Sequence, residues 1–184
     1  MTREQFLAWE ERQETKYEFD GFEPVAMIGV TDAHAAIQVN LISALNLRLR
    51  GRPCRPRGSD TKVEVAGRIR YPDALVFCNP VPPDTMVIRE PVVVFEILSA
   101  TSTYTDLVLK NREYRATPSI QRYVVLHQDR AGATIFARKG EDWDSEALAG
   151  DDAVLRMPEI GVDIPLPELY TDVQLAKPAD PEPA

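Results

Sequence analysis

Long apolar runs are missing from this chain: no segment approaches the roughly 18 consecutive apolar residues that would span a bilayer. The opening stretch MTREQFLAWEERQ is polar and lacks the apolar centre of a secretory leader, so a cytoplasmic protein is the default expectation. Cysteine is scarce as well. Cys54 and Cys78 stand alone, without Cys-x-x-Cys spacing, and read as buried or incidental thiols rather than metal ligands. Positive charge is in deficit, with a net charge of -8, which argues against a nonspecific nucleic-acid coat because such binding rests on neutralising phosphates. A local basic groove is still compatible with that balance. No internal repeat and no compositional break mark off a second domain.

What is present suffices for one globular domain over residues 1–175. At 44% hydrophobic and 27% charged, 184 residues can bury a core without disulfides or a structural metal. The tail AKPADPEPA lacks apolar content, so residues 176–184 are expected to be disordered. Phe6, Leu7 and Trp9 among charges predict a short helix over 3–13. In YEFDGFEPVAMI, the Asp20-Gly21 turn pair between alternating residues predicts a hairpin over 17–28. Thr31 or Asp32 caps a longer helix running to about Arg50, whose Ile37, Leu41, Ala44 and Leu45 form an apolar face; Gly51 and Pro53 end it. TKVEVAG, RYPDALVFC and PVVVFEILS read as strands, with Val63 and Val65 on one face and Lys62 and Glu64 on the other. A helix from about Tyr104 to Arg115 stops before Thr117-Pro118, since a residue preceding proline resists the helical region. RYVVLHQD and ATIFARK are further strands, and MPEIGVDIPLPELY is an irregular, apolar-studded closing segment. The order predicts a mixed α/β or α+β sheet with helices packed against it.

Two acids sit in unexpected company. Glu96 interrupts the apolar run Val92–Leu98, where a carboxylate is costly without a partner. Asp73 opens ALVF behind Pro72, a residue suited to an edge, a bulge or a strand entrance. If the two strands pair, the carboxylates approach each other, and either one is protonated or a cation lies between them. Mg²⁺ is commonly held by one or two carboxylates with water and phosphate oxygens. On the following helix, Asp106, Lys110 and Tyr114 share a stripe at i, i+4 and i+8. Lys110 then reaches the same cluster, where an ammonium can orient a water or stabilise charge developing on a phosphate. By pattern alone, two readings stand side by side: a metal-assisted hydrolytic site, or a structural acid with a solvated Asp106–Lys110 pair.

These residues resemble the PD-(D/E)XK nuclease superfamily, the restriction-endonuclease-like fold. Within it the chain is similar to the large bacterial restriction-endonuclease family called Uma-two, over about Tyr17 to Tyr170. The likeness is carried by YEFDG, DAHAAIQVNL, PCRPRGSDTKVEV, YPDALV, EPVVVFEILS, the Asp106/Lys110/Tyr114 helix and SIQRYVVL in that order. It implies a central mixed sheet flanked by helices and Mg²⁺- or Mn²⁺-dependent hydrolysis of DNA phosphodiester bonds. Asp73 and Glu96 would be the metal ligands and Lys110 the catalytic lysine. The superfamily pattern expects a lysine two residues after the acid; here Leu98 stands there, and the resemblance implies that Lys110 on the next helix takes its place. The family's Ser-Pro-Ser-Thr-Arg after the acid is replaced by Ser99-Ala100-Thr101-Ser102-Thr103, which removes an arginine expected near the helix start.

The resemblance also makes Glu18 and His34 accessory site residues. Their alternatives are an exposed hairpin carboxylate and a packing or capping histidine. Asp60 and Lys62 read as a turn acid and a solvated lysine. Arg48, Arg50, Arg52, Arg55 and Arg57 gather five cations within ten residues, suited either to DNA phosphates or to a helix C-terminus followed by a solvated loop. Such folds often act as homodimers on duplex DNA, and an exposed closing segment around Ile164–Tyr170 would serve as the interface. The competing functional reading is a nuclease-derived binding or interaction module of a mobile-element or defence system, with weak or no catalysis.

Overall fold

The computed structural model describes residues 1–27, 29–98 and 104–175; the expected disordered tail and the Ser99–Thr103 segment lie outside the described residues. The chain runs α1 (Arg3–Glu10), β1 (Tyr17–Phe19), β2 (Pro24–Ala26), α2 (Asp32–Leu49), β3 (Arg55–Gly58), β4 (Lys62–Val65), β5 (Arg68–Arg70), β6 (Ala74–Phe77), β7 (Val87–Ile88) and β8 (Pro91–Leu98). There follow α3 (Tyr104–Ala116), β9 (Arg122–His127), β10 (Gly132–Lys139), β11 (Asp142–Ala149), β12 (Val154–Met157), β13 (Val162–Pro165) and α4 (Leu166–Leu169). Among the described residues the strands form a six-stranded mixed sheet, β11-β10-β9-β8-β6-β3, and a five-stranded sheet, β2-β1-β5-β4-β7. A separate β12–β13 hairpin completes the set. In the larger sheet only β8 and β9 run parallel, and α3 supplies the crossover between them that a parallel pair requires.

Alternation along β8 explains how both faces of this sheet are covered. Val93, Phe95 and Ile97 face α2, the β12–β13 hairpin and α4, in a core that includes Leu41, Leu45, Ile164 and Leu169. Val94 faces the other way with Leu75, Phe77, Tyr114 and Tyr123, under α3 and β4. The α2 helix begins where Thr31 accepts a hydrogen bond from the His34 N–H at 3.2 Å, a side-chain cap for an otherwise unsatisfied donor. It ends before Gly51, whose φ of +76° is strained for any residue with a Cβ. A third cluster joins Phe6 of α1 to Phe19 and Ile69 of the smaller sheet.

Several expectations are corrected. RYPDALVFC is not one strand: its Arg70 ends β5 of the smaller sheet and its Ala74–Phe77 form β6 of the larger, with the chain crossing between them at Tyr71-Pro72-Asp73. Proline cannot extend a ladder, so the break falls there. The closing segment is a hairpin with a short helix, and its apolar residues are internal: Ile164, Leu166 and Leu169 are fully buried, which removes the exposed interface expected at Ile164–Tyr170. Cys54 and Cys78 form a disulfide, since the antiparallel pairing of β3 with β6 carries them to the rung beyond Arg55–Phe77. Lys62 is not solvated. It is buried and ion-paired with Glu10 at 2.6 Å, while Glu10 also accepts from the Tyr71 hydroxyl at 2.7 Å. Asp60 is an exposed turn acid paired with Lys16.

Candidate functional site

The crossing from β5 to β6 places residues of both sheets within a few positions of each other. Ala74 pairs with Phe95, so one rung further Asp73 stands against Glu96. Asp73 Oδ2 accepts from the Ile97 N–H at 2.6 Å, and its Oδ1 lies 2.9 Å from His34 Nε2. Gln38, one turn further along α2, donates to the Asp73 carbonyl at 2.8 Å. The α2 helix therefore holds the Asp73 side chain and its backbone together.

From the opposite side α3 delivers Lys110 and Tyr114. Lys110 Nζ is 3.2 Å from Glu96 Oε1, and the Tyr114 hydroxyl donates to the same oxygen at 2.6 Å. The i, i+4 spacing brings both to one acid; the Asp106 side chain is outside the described set. Among the described residues the other Glu96 oxygen receives no hydrogen bond. Glu18, expected as an exposed carboxylate at least as readily as a site residue, is buried, with its Oε1 3.2 Å from Lys110 Nζ.

Burial pushes the Glu96 carboxyl up to about 7; Lys110 opposes that rise, and the neighbouring Asp73 and Glu18 carboxylates add to it. Burial alone would push the Lys110 ammonium down, yet Glu96 and Glu18 outweigh it and hold it well above its ordinary range. Tyr114 is raised well above the usual phenol range by burial and by Glu96, so it stays a donor. Among the described residues, two buried polar atoms in or beside this cluster, His34 Nδ1 and Tyr123 Oη, have no hydrogen-bond partner. Tyr123 is fully buried and its ring lies 4.9 Å from that of Tyr114.

Asp73 and Glu96 are the residues that could hold a divalent cation. Two carboxylates, Glu18 and Glu96, meet the Lys110 ammonium, and burial keeps the Glu96 proton on to near neutrality, with the Asp73 carboxylate adding to the effect. Among the described residues no set of three or more His, Cys, Asp or Glu side chains is placed to hold a metal ion together. Mg²⁺ does not require one, because it keeps several waters and binds through one or two carboxylates.

The five arginines differ in their surroundings. Arg48 makes a two-pronged pair with Glu168 at 2.8 and 2.7 Å and also donates to the Asp163 carbonyl. Arg52 donates to the Gly161 carbonyl at 2.8 Å. These two fasten the end of α2 to the β12–β13 hairpin and α4. Arg50, Arg55 and Arg57 are exposed, with Arg57 over the Phe77 ring. Sequence reasoning missed the buried network behind Glu18, in which Arg70 bridges Glu18 and Glu113. The only signal was the alternation Arg68-Ile69-Arg70, which puts two cations on one strand face.

The α+β architecture, on whose mixed sheet Asp73 and Glu96 stand opposite each other on adjacent strands, is a nuclease-like fold. A crystal structure from Anabaena variabilis ATCC 29413, described as a putative nuclease belonging to DUF820, superposes with a TM-score of 0.77 at 18% identity, covering 93% of this chain and 98% of that one. The chain belongs to the Uma2 family, described as "Putative restriction endonuclease", whose profile matches residues 3–167. Two proteins of Synechocystis sp. are similar to it. Uncharacterized protein slr1290 is 30% identical over 147 residues, 78% of this chain and 77% of that protein. Uncharacterized protein sll1609 is 26% identical over 159 residues, 83% of this chain and 90% of that one. Among the described residues no helix is long and apolar enough to cross a membrane.

Proposed function

We propose that this chain hydrolyses DNA phosphodiester bonds with the help of Mg²⁺ or Mn²⁺, held by Asp73 and Glu96. The observation that carries the reading is a nearly buried glutamate raised to about 7 opposite a second acid on the neighbouring strand, an arrangement that a cation relieves. A bound cation would polarise a phosphoryl oxygen and lower the pKa of a water. Asp73 is oriented for this by His34 and by the Ile97 N–H. Lys110 remains charged, so it acts as a donor: it holds the attacking water or the developing phosphoryl charge, and does not remove a proton. Leu98 in the superfamily's lysine position is then no obstacle, because the ammonium reaches the acid from α3.

A plasmid-nicking assay with Mn²⁺ tests this, using the intact chain and the Asp73→Asn and Lys110→Met variants. Nicking by the native chain that is abolished by Asp73→Asn, by Lys110→Met and by chelation is expected. Equal nicking by all three proteins would end the reading. The interaction-module alternative is favoured by the net charge of -8 and by the use of Arg48 in an internal ion pair. Calorimetry separates the two, since a pure binding module gives no Mn²⁺ heat that Asp73→Asn removes.

A further inference from the structure

Glu18 has partners that the proposed reaction leaves unexplained. Phe19 pairs with Ile69, so the next rung sets Glu18 of β1 against Arg70 of β5. Arg70 Nη1 donates to Glu18 Oε2 at 3.1 Å, and the Tyr71 N–H donates to Glu18 Oε1 at 3.1 Å. Arg70 is itself clamped by Glu113, with Nε and Nη2 each 2.7 Å from a carboxylate oxygen. Arg70 and Glu113 are 6% and 4% exposed, too buried for a solvated surface pair. A chain of alternating charge thus runs Glu113, Arg70, Glu18, Lys110, Glu96. Within it Lys110 Nζ stands 3.2 Å from each of its two acids.

That symmetry matters because Glu96 has two claimants. Resting on the metal-assisted reading above, a cation at Glu96 and Asp73 competes with the ammonium for Glu96. The ammonium then needs a second acid that stays where it is. Glu18 fits this need: both of its oxygens are already taken by donors, and its anchor Arg70 is fixed from behind. A two-pronged guanidinium held by a carboxylate is a rigid support, which a lysine would not reproduce.

We propose that Glu18 is a positioning residue, not a metal ligand: it retains the Lys110 ammonium when a divalent cation claims Glu96, and Arg70 keeps Glu18 in place for that purpose.

The test follows the lysine rather than the reaction. The full chain, kept free of metal by chelation, is acetylated with an N-hydroxysuccinimide ester at pH 8, and modification of Lys110 is timed by peptide mass spectrometry. Lys110 is 21% exposed at its side chain, so the reagent has access. Glu18→Gln should speed its acetylation about tenfold, the effect of one pKa unit, and Arg70→Lys should raise it in the same direction. Unchanged Lys110 reactivity in Glu18→Gln, an isosteric change that leaves Arg70 and Glu113 paired, would overturn the proposal even if Arg70→Lys fails to fold. Mn²⁺ affinity is then measured by calorimetry for Glu18→Gln in the native and Lys110→Met backgrounds. A loss that shrinks in the Lys110→Met background supports the anchoring role. A loss at least as large there makes Glu18 a ligand and refutes it. Failure of the native chain to bind Mn²⁺ would strike the proposed function instead, with the acetylation rates alone deciding whether Glu18 anchors Lys110.

Discussion

Glu96 keeps its proton to about pH 7 because burial and two neighbouring carboxylates outweigh the help of Lys110. The sign of the consequence follows from linkage. Between the ordinary value of 4.5 and about 7, the folded chain holds a proton that the unfolded chain has released. Stability from this group is therefore lost as pH rises through that window and is level above it, by on the order of 3 kcal/mol in total. In urea unfolding with chelator present, the native chain should lose more stability than Glu96→Gln between pH 5 and 7.5. Parallel profiles for the two would show that Glu96 is not raised. At the same scale, Lys110→Met should lower the rate of plasmid nicking roughly 10²–10³-fold, the loss typical of one charge-stabilising donor. A loss confined to substrate affinity would place Lys110 outside the chemistry.

Elements decide which of these residues can meet. The β5–β6 break at Pro72 is what lets Arg70 belong to one sheet and Asp73 to the other, three positions apart. The β8–α3–β9 crossover returns α3 over Glu96. The β3 strand was not among the expected strands, because Arg55-Pro56-Arg57-Gly58 has no apolar alternation to reveal one. Its pairing with β6 is secured by the Cys54–Cys78 disulfide across a separation of 24 residues. Closing a loop of that length should stabilise the fold by about 3 kcal/mol. Cys54→Ser, or reductant on the native chain, is expected to lower urea stability by that order; no effect of either would mean the bridge does not form in solution. The β11 strand was also overlooked, since Asp142-Trp143-Asp144-Ser145-Glu146 has Trp143 as its one apolar residue and forms the sheet's edge.

For the whole molecule, the candidate site lies where both sheets, α2 and α3 converge, and its residues come from position 18 to position 114. Under the proposed function, DNA at that junction would draw on exposed cations. Arg55 and Arg57 are exposed on β3, beside the strand that Asp73 opens, whereas Arg48 serves Glu168. Replacing Arg55 and Arg57 together by alanine should weaken DNA binding and reduce the slope of log affinity against log salt by about 2. Arg48→Ala should leave that slope unchanged and cost about 1 kcal/mol of stability instead, as for a partly exposed ion pair. Fluorescence anisotropy across a salt series, with urea unfolding beside it, checks both. An equal fall in slope for Arg48→Ala would restore the five arginines as a single binding patch.

The sequence by itself determined the elements whose pattern is local: the capped α2, the hairpin around Asp20-Gly21, the buried β8 run and the α3 stripe that aims Lys110 and Tyr114 at one acid. It also singled out Glu96, because an acid in an apolar strand is costly wherever that strand lies. Only the tertiary structure decided what depends on distant pairing. Glu18 became an internal partner of Lys110 through its rung with Arg70, Lys62 was buried by Glu10 of α1, and the apolar closing segment was drawn into the core. Cys54 met Cys78 through strand register, which neither cysteine's neighbours encode. A charge's neighbours in space set its energy, and in this chain those neighbours lie tens of residues away.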